Sequence, residues 1–227
     1  MQAVNFNLII SILILMPLGI FAGCGLVYVF NHMPYSWLCE YGEEKPEESD
    51  CQRLCGIPWK AALSCFFMVT GIYMVTLGGH DIVFAIPTLV CVWLLMIIAI
   101  SDGKYMIIPD QFVLFLLLMA IAFLPFGFSL RSLLLGAAAG AGLMLVVAIA
   151  GYFVSGREAL GFGDVKLMLA VGAVTGFETC IGIMVVASIL SGLAFFIGLL
   201  RKKYTAKSLA PLGPYLAGVT IAALVLL

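Results

Sequence analysis

The 227 residues are 64% hydrophobic and only 10% charged, with a mean hydropathy of +1.20. A water-soluble domain is about half apolar and about a quarter charged, so a soluble globule, a disordered chain and a disulfide-rich secreted module are all excluded. Eleven Lys+Arg against 12 Asp+Glu give a net charge of -1, which leaves no basic face for nucleic acid; the environment this composition requires is a lipid bilayer.

Taken in chain order, the apolar runs predict an all-α, polytopic membrane helix bundle of about eight transmembrane segments: Leu8–Phe30, Ala61–Leu77, Ile82–Ile100, Phe112–Phe128, Leu133–Val154, Val165–Gly176, Cys180–Leu200 and Leu209–Leu227. A span takes about 20 apolar residues. The sixth run has about a dozen, so it must tilt, be shielded by neighbours or extend into the loop before it. Lys and Arg sort cleanly between the two sides. Lys45, Arg53, Lys60, Lys104, Arg157, Lys166, Arg201, Lys202, Lys203 and Lys207 fall in odd-numbered loops, and only Arg131 in an even one. That asymmetry puts the odd loops in the cytoplasm and both termini on the other side. Omitting the sixth segment would move the Arg201–Lys207 cluster outside. No Lys or Arg precedes Lys45, so the first run lacks the charged start of a cleaved signal and reads as a retained span.

The first loop, about Asn31–Lys60, holds half of all carboxylates: Glu40, Glu43, Glu44, Glu47, Glu48 and Asp50. By itself this is a solvated acidic loop. It also holds Cys39, Cys51 and Cys55, while Cys24, Cys65, Cys91 and Cys180 fall in or beside apolar runs, where they act as small hydrophobes. Structural zinc takes four ligands, often as two C-x2-C knuckles. Three thiols are an incomplete set unless His32 or Cys65 joins them, so Cys39, Cys51 and Cys55 are weak metal candidates. A reducing cytoplasm argues against a disulfide.

The remaining acids are Asp81, Asp102, Asp110, Glu158, Asp164 and Glu178. Acids at a membrane boundary are costly and mark candidate functional residues. Asp81 and Glu178 lie in short outer loops, whereas Asp102, Asp110, Glu158 and Asp164 lie on the cytoplasmic side. Asp102 ends the third run and Asp164 opens the sixth, so the two side chains sit at a similar depth on different helices. If they approach closely, mutual repulsion leaves one ionised and one protonated. The ionised group can activate water while the protonated one polarises a peptide carbonyl. Gly161 and Gly163 beside Asp164 permit close backbone approach. The plain alternative for Asp164 is a helix N-terminus favoured by the dipole. Lys166, two residues on, is unfavourable to that dipole and calls for a local partner, with Asp164 or a substrate carbonyl as the candidates; snorkelling to the headgroups is the alternative.

Asp102-x5-Ile108-Pro109-Asp110, Gly161-Phe-Gly-Asp-Val-Lys-Leu-Met168 and Pro211-Leu-Gly-Pro-Tyr-Leu-Ala217 together resemble the bacterial type IV prepilin leader peptidases, membrane aspartyl proteases of the GxGD type, from roughly Pro87 to the C-terminus. The resemblance implies an endopeptidase of the bacterial inner membrane that removes a short basic leader from type IV prepilins or type II secretion pseudopilins. It implies cleavage after glycine at the cytoplasmic face. By carry-over, Asp102 and Asp164 are the catalytic pair, with Gly161, Gly163, Lys166, Pro109 and Asp110 as support. Peptide hydrolysis by this pair requires no cofactor. The acidic first loop would attract the basic leader.

The N-terminal third departs from the family pattern. Val27 stands at a usual Asn and His32 at a usual Arg, and the paired cysteine knuckles of bifunctional members are reduced to three thiols. These departures argue against S-adenosylmethionine binding and N-methyl transfer. Residues 1–78 then form a degenerate methyltransferase-like region and 79–227 a six-segment peptidase domain. The competing readings are a small proton-coupled transporter using Asp102 and Asp164 as a relay, and a purely structural membrane subunit. The acids gather at one edge without a polar ladder across the bilayer, which disfavours a relay. Nothing in the pattern specifies an oligomeric state.

Overall fold

In lipid, long apolar runs satisfy their backbone groups by hydrogen bonding within the segment, and these runs fold accordingly. The computed structural model describes residues 2–38, 54, 56–155, 160–202 and 211–226. Among the described residues there is no strand. The helices are α1 (Gln2–Asn31), α2 (Ile57–Thr76), α3 (Ile82–Tyr105), α4 (Asp110–Met119), α5 (Leu130–Ser155), α6 (Phe162–Thr175), α7 (Phe177–Leu200) and α8 (Gly213–Leu226), with short 3-10 stretches at Tyr35–Trp37 and Ala120–Phe126. Helices α1, α2, α3, α5 and α7 are long and apolar enough to cross a membrane. Large apolar side chains such as Phe21, Val146, Phe153, Leu193 and Phe196 point outward, the inverse of a soluble surface. The protein is an all-α polytopic helix bundle.

The chain divides into two compact units within α3: residues 1–93 with 224–227, and residues 94–223. In the first unit α1 packs on α2 at close range. A Cβ at Gly19 would come within 2.5 Å of Met68, and one at Gly23 would collide with Ser64. Ser64 Oγ donates to the Ile20 carbonyl at 3.3 Å, and Trp93 Nε1 donates to the Ala22 carbonyl at 3.0 Å. The Asn31 side chain clamps Leu54 in both directions, donating to its carbonyl at 3.0 Å and accepting its N–H at 2.8 Å.

In the second unit α6 is the helix that its neighbours enclose. It contacts α4, the 3-10 stretch Ala120–Phe126, α5 and α7. Val165, Leu167, Met168 and every residue from Ala170 to Thr175 are buried. Fourteen residues reach only about 21 Å, short of the ~30 Å hydrocarbon core. Of the options for the short sixth run, two are seen: the helix extends into the preceding loop to start at Phe162, and its neighbours shield it. Glycines make the shielding possible, because Gly136 and Gly140 of α5 lie directly against Gly172 and Met168 of α6, with no room for a Cβ.

Most helices start or end a few residues from the predicted runs, α2 for instance starting at Ile57 and α3 ending at Tyr105, and two boundaries bear on how the helices are built. The fourth run is α-helical only to Met119, continues as 3-10 helix to Phe126, and closes at Gly127 with φ 93°. Pro125, which cannot donate a backbone bond, lies in that tighter stretch. The eighth helix begins at Gly213, since Gly213-Pro214 is the point where a helix start tolerates proline. Cys39, Cys51, Cys55, Arg157 and Glu158 lie outside the described residues.

Candidate active site

Asp102 stands in the last turn of α3. That helix stops where Met106 turns left-handed at φ 55° while its N–H still bonds the Asp102 carbonyl at 2.9 Å, an αL helix stop. Ser101 Oγ donates to the Ile107 carbonyl at 3.0 Å, folding the next residues back against the helix end. Pro109, with φ -68° and ψ 123°, then launches α4 at Asp110. Ile-Pro-Asp is therefore a tight turn between two helices, as proline's effect on the preceding residue requires.

The Asp102 side chain is 5% exposed. Its Oδ2 accepts the backbone N–H of Gly213 at 2.9 Å. That N–H is one of the unpaired donors at the start of α8, so a helix terminus faces the carboxylate with its positive end. A Cβ at Gly213 would lie 2.7 Å from Asp102 Oδ2 and 2.9 Å from its Cγ. Only glycine brings its N–H this close.

Asp164 is the third residue of α6, after the N-cap Gly161. Part of its carboxyl group faces the Gly161 backbone amide, and the group feels the charge of Asp102. The capping role is thus real, but it leaves Oδ1 buried with no hydrogen-bond partner among the described residues. A buried, unpaired acid oxygen is costly, and its position next to a second carboxyl group is what a reacting water or carbonyl would exploit. Gly163 lies under the preceding turn, where a Cβ would be 3.2 Å from Ile108 Cβ.

Lys166 does not pair with Asp164. Its Nζ donates to both oxygens of Asp110, at 2.9 and 2.8 Å, and sits 5.1 Å from the Phe162 ring centroid. Residues i and i+2 point to different helix faces, so Asp164 was out of reach of Lys166, whereas the start of α4 was not. The structure therefore brings Asp102, Ile108, Pro109, Asp110, Gly161, Gly163, Asp164 and Lys166 together at one end of the second unit. It adds two participants with no site role in the sequence reading, Ser101 and the Gly213 N–H. The motif Pro211–Ala217 was the available signal for the latter.

In the first unit, Val27 is buried. His32 stacks on Tyr28 with centroids 4.1 Å apart, and its Nδ1 lies 2.8 Å from the Tyr28 carbonyl.

Residues 89–197 match the type IV leader peptidase family. This part of the chain is similar to that family. The matched stretch contains Asp102, Asp110, Asp164 and Lys166 and ends before the segment that supplies the Gly213 N–H. Among similar proteins, each named prepilin leader peptidase/N-methyltransferase, one from Pectobacterium carotovorum subsp. carotovorum is 39% identical over 128 residues, 54% of this chain and 45% of that protein. One from Aeromonas hydrophila is 36% identical over 136 residues, 58% of this chain and 46% of the relative. The Escherichia coli (strain K12) relative is 32% identical over 123 residues, 53% of this chain and 54% of its own. The chain thus spans about half the length of the curated relatives it matches. No solved structure is a significant match. The matched family region places the leader-peptidase resemblance on the unit that holds the paired aspartates.

Proposed function

We propose that the chain is an aspartyl endopeptidase of the bacterial inner membrane, removing the short basic leader of type IV prepilins or type II secretion pseudopilins by cutting after glycine at the cytoplasmic face. The observation that carries this reading is the pair itself: Asp102, at the end of α3, is buried, and Asp164, at the start of α6, holds a buried oxygen with no hydrogen-bond partner among the described residues and feels the Asp102 charge. Residues 79–227 would form the peptidase region, and prepilins would be the substrates by analogy with what the relatives' names state.

Two neighbouring carboxyl groups in a poorly solvated site share one proton. The ionised member takes a proton from water as the oxygen attacks the scissile carbonyl carbon, and the protonated member gives its proton to the carbonyl oxygen. The resulting tetrahedral diol collapses when one carboxyl group protonates the departing amide nitrogen while the other, ionised one takes a proton from a diol hydroxyl, which re-forms the carbonyl. The proton taken from water is thereby returned, and the pair regains its starting charge. Both steps use the carboxylates alone. Asp110, Pro109, Gly161, Gly163 and Lys166 support the site without exchanging protons.

The test is prepilin cleavage in membranes containing the full chain. Asp102→Asn and Asp164→Asn keep size and polarity but remove the exchangeable proton, so each is expected to insert normally and to lose at least ~10³-fold in cleavage rate, the scale of a lost acid–base group. Full cleavage by either variant would overturn the mechanism. Wild-type chain that cuts no prepilin would overturn the activity.

A further inference from the structure

We infer that the Lys166–Asp110 pair is a positioning latch that fixes the first turn of α6 on the turn entering α4, and so fixes Asp164 in register with Asp102. The inference rests on the two-aspartate reading above. Four observations converge on it. The pair is bidentate, joining residues 56 apart in sequence. It sits two residues beyond Asp164, while Gly163, one residue before, is pressed on Ile108. Residues 108 and 110 therefore hold α6 on both sides of the catalytic carboxyl group. The α6 N-cap, Gly161, has no side chain of its own to offer, so beyond the Asp164 carboxyl group this helix start is fixed by its contacts with the entry to α4. Finally, each charge answers a helix dipole: Asp110 opens α4 on the favourable side, and the misplaced cation in the first turn of α6 is offset by it.

The pair's exposure decides what kind of role it has. The side chains are 34% and 41% exposed, and ion pairs that wet contribute little to global stability. Breaking it should leave the helices folded. What changes is the freedom of a glycine-flanked turn that carries Asp164, and a displacement of about 1 Å at a reacting group is enough to cost ~10²-fold in rate. The pair also keeps the Lys166 ammonium on Asp110, away from the coupled carboxyl groups.

Steady-state cleavage of prepilin by the purified full chain separates this role from substrate contact. Lys166→Met and Asp110→Asn are each expected to lower kcat by about tenfold with KM unchanged. The double variant should be no slower than either single one, because residues in direct contact are not additive. Lys166→Arg, which can fork onto the same carboxylate, should retain most of the wild-type kcat, and melting temperatures should match wild type throughout. A raised KM at constant kcat, additive losses in the double variant, failure of arginine to substitute, or losses that track a lowered melting temperature would each overturn the latch. Undiminished kcat in Lys166→Met with an active wild type overturns the latch alone. An inactive wild type overturns the two-aspartate reading, and the latch with it.

Discussion

A backbone N–H aimed at a buried carboxylate tolerates nothing on its own α-carbon. At Gly213 an added methyl group would lie 3.0 Å from Asp102 Cβ as well as 2.7 Å from Oδ2, and Asp102, buried in the last turn of α3, has little room to retreat. Gly213→Ala is therefore expected to displace Asp102 and cut prepilin cleavage by about 10²-fold with the chain still inserted. An initial-rate assay on membranes checks this, and a full rate would mean that the Gly213 contact is dispensable. As candidates, Asp102 and Asp164 stood out in the sequence because an acid at the edge of a long apolar run is costly. The Gly213 contact and the partner of Lys166 did not. They link residues 111 and 56 apart, and helical periodicity announces only neighbours three or four residues away.

Among the helices, α6 depends most on its surroundings. Gly172→Ala would drive a methyl group into the Gly136 backbone of α5, and forcing two packed backbones apart costs about 3 kcal/mol. Gly182→Ala in α7 meets nothing within 4 Å and should instead gain up to about 1 kcal/mol of helix propensity. Thermal unfolding of both variants in detergent is the check, and a stable Gly172→Ala would refute the tight α5–α6 contact. The positions of the eight α-helices among the described residues were legible, because a run of apolar residues and its flanking charges report burial directly. Their pitch was not. Phe112–Phe128 reads as one run, yet it changes from α to 3-10 helix at Ala120, since hydrophobicity carries no record of whether a carbonyl bonds three or four residues on. The short α6 was the ambiguous case for the same reason: what compensates its length is other helices, which its own residues do not name.

At the scale of the whole chain, the two compact units invite separate questions about activity. The relatives' names join peptidase and N-methyltransferase, and the first unit is where the sequence departs from the bifunctional pattern. Val27 is buried and offers no hydrogen bond, and His32 is folded back on Tyr28, without the permanent charge or the fork of an arginine. If the proposed activity holds, pilin matured by this chain alone is expected to carry an unmethylated N-terminal residue. Mass spectrometry of the product decides it, since an increment of about 14 Da, one methylene, would restore the second activity.

The sheath of helices around α6 has a consequence for the membrane itself. A helix that faces lipid must match the thickness of the hydrocarbon layer by tilting, bending or deforming it. The helix carrying Asp164 has its apolar residues against α4, α5 and α7, so its length is matched to protein, and the adjustments to a thicker or thinner bilayer fall on the outer helices. The acid is thereby held at a depth set by packing rather than by the lipids around it.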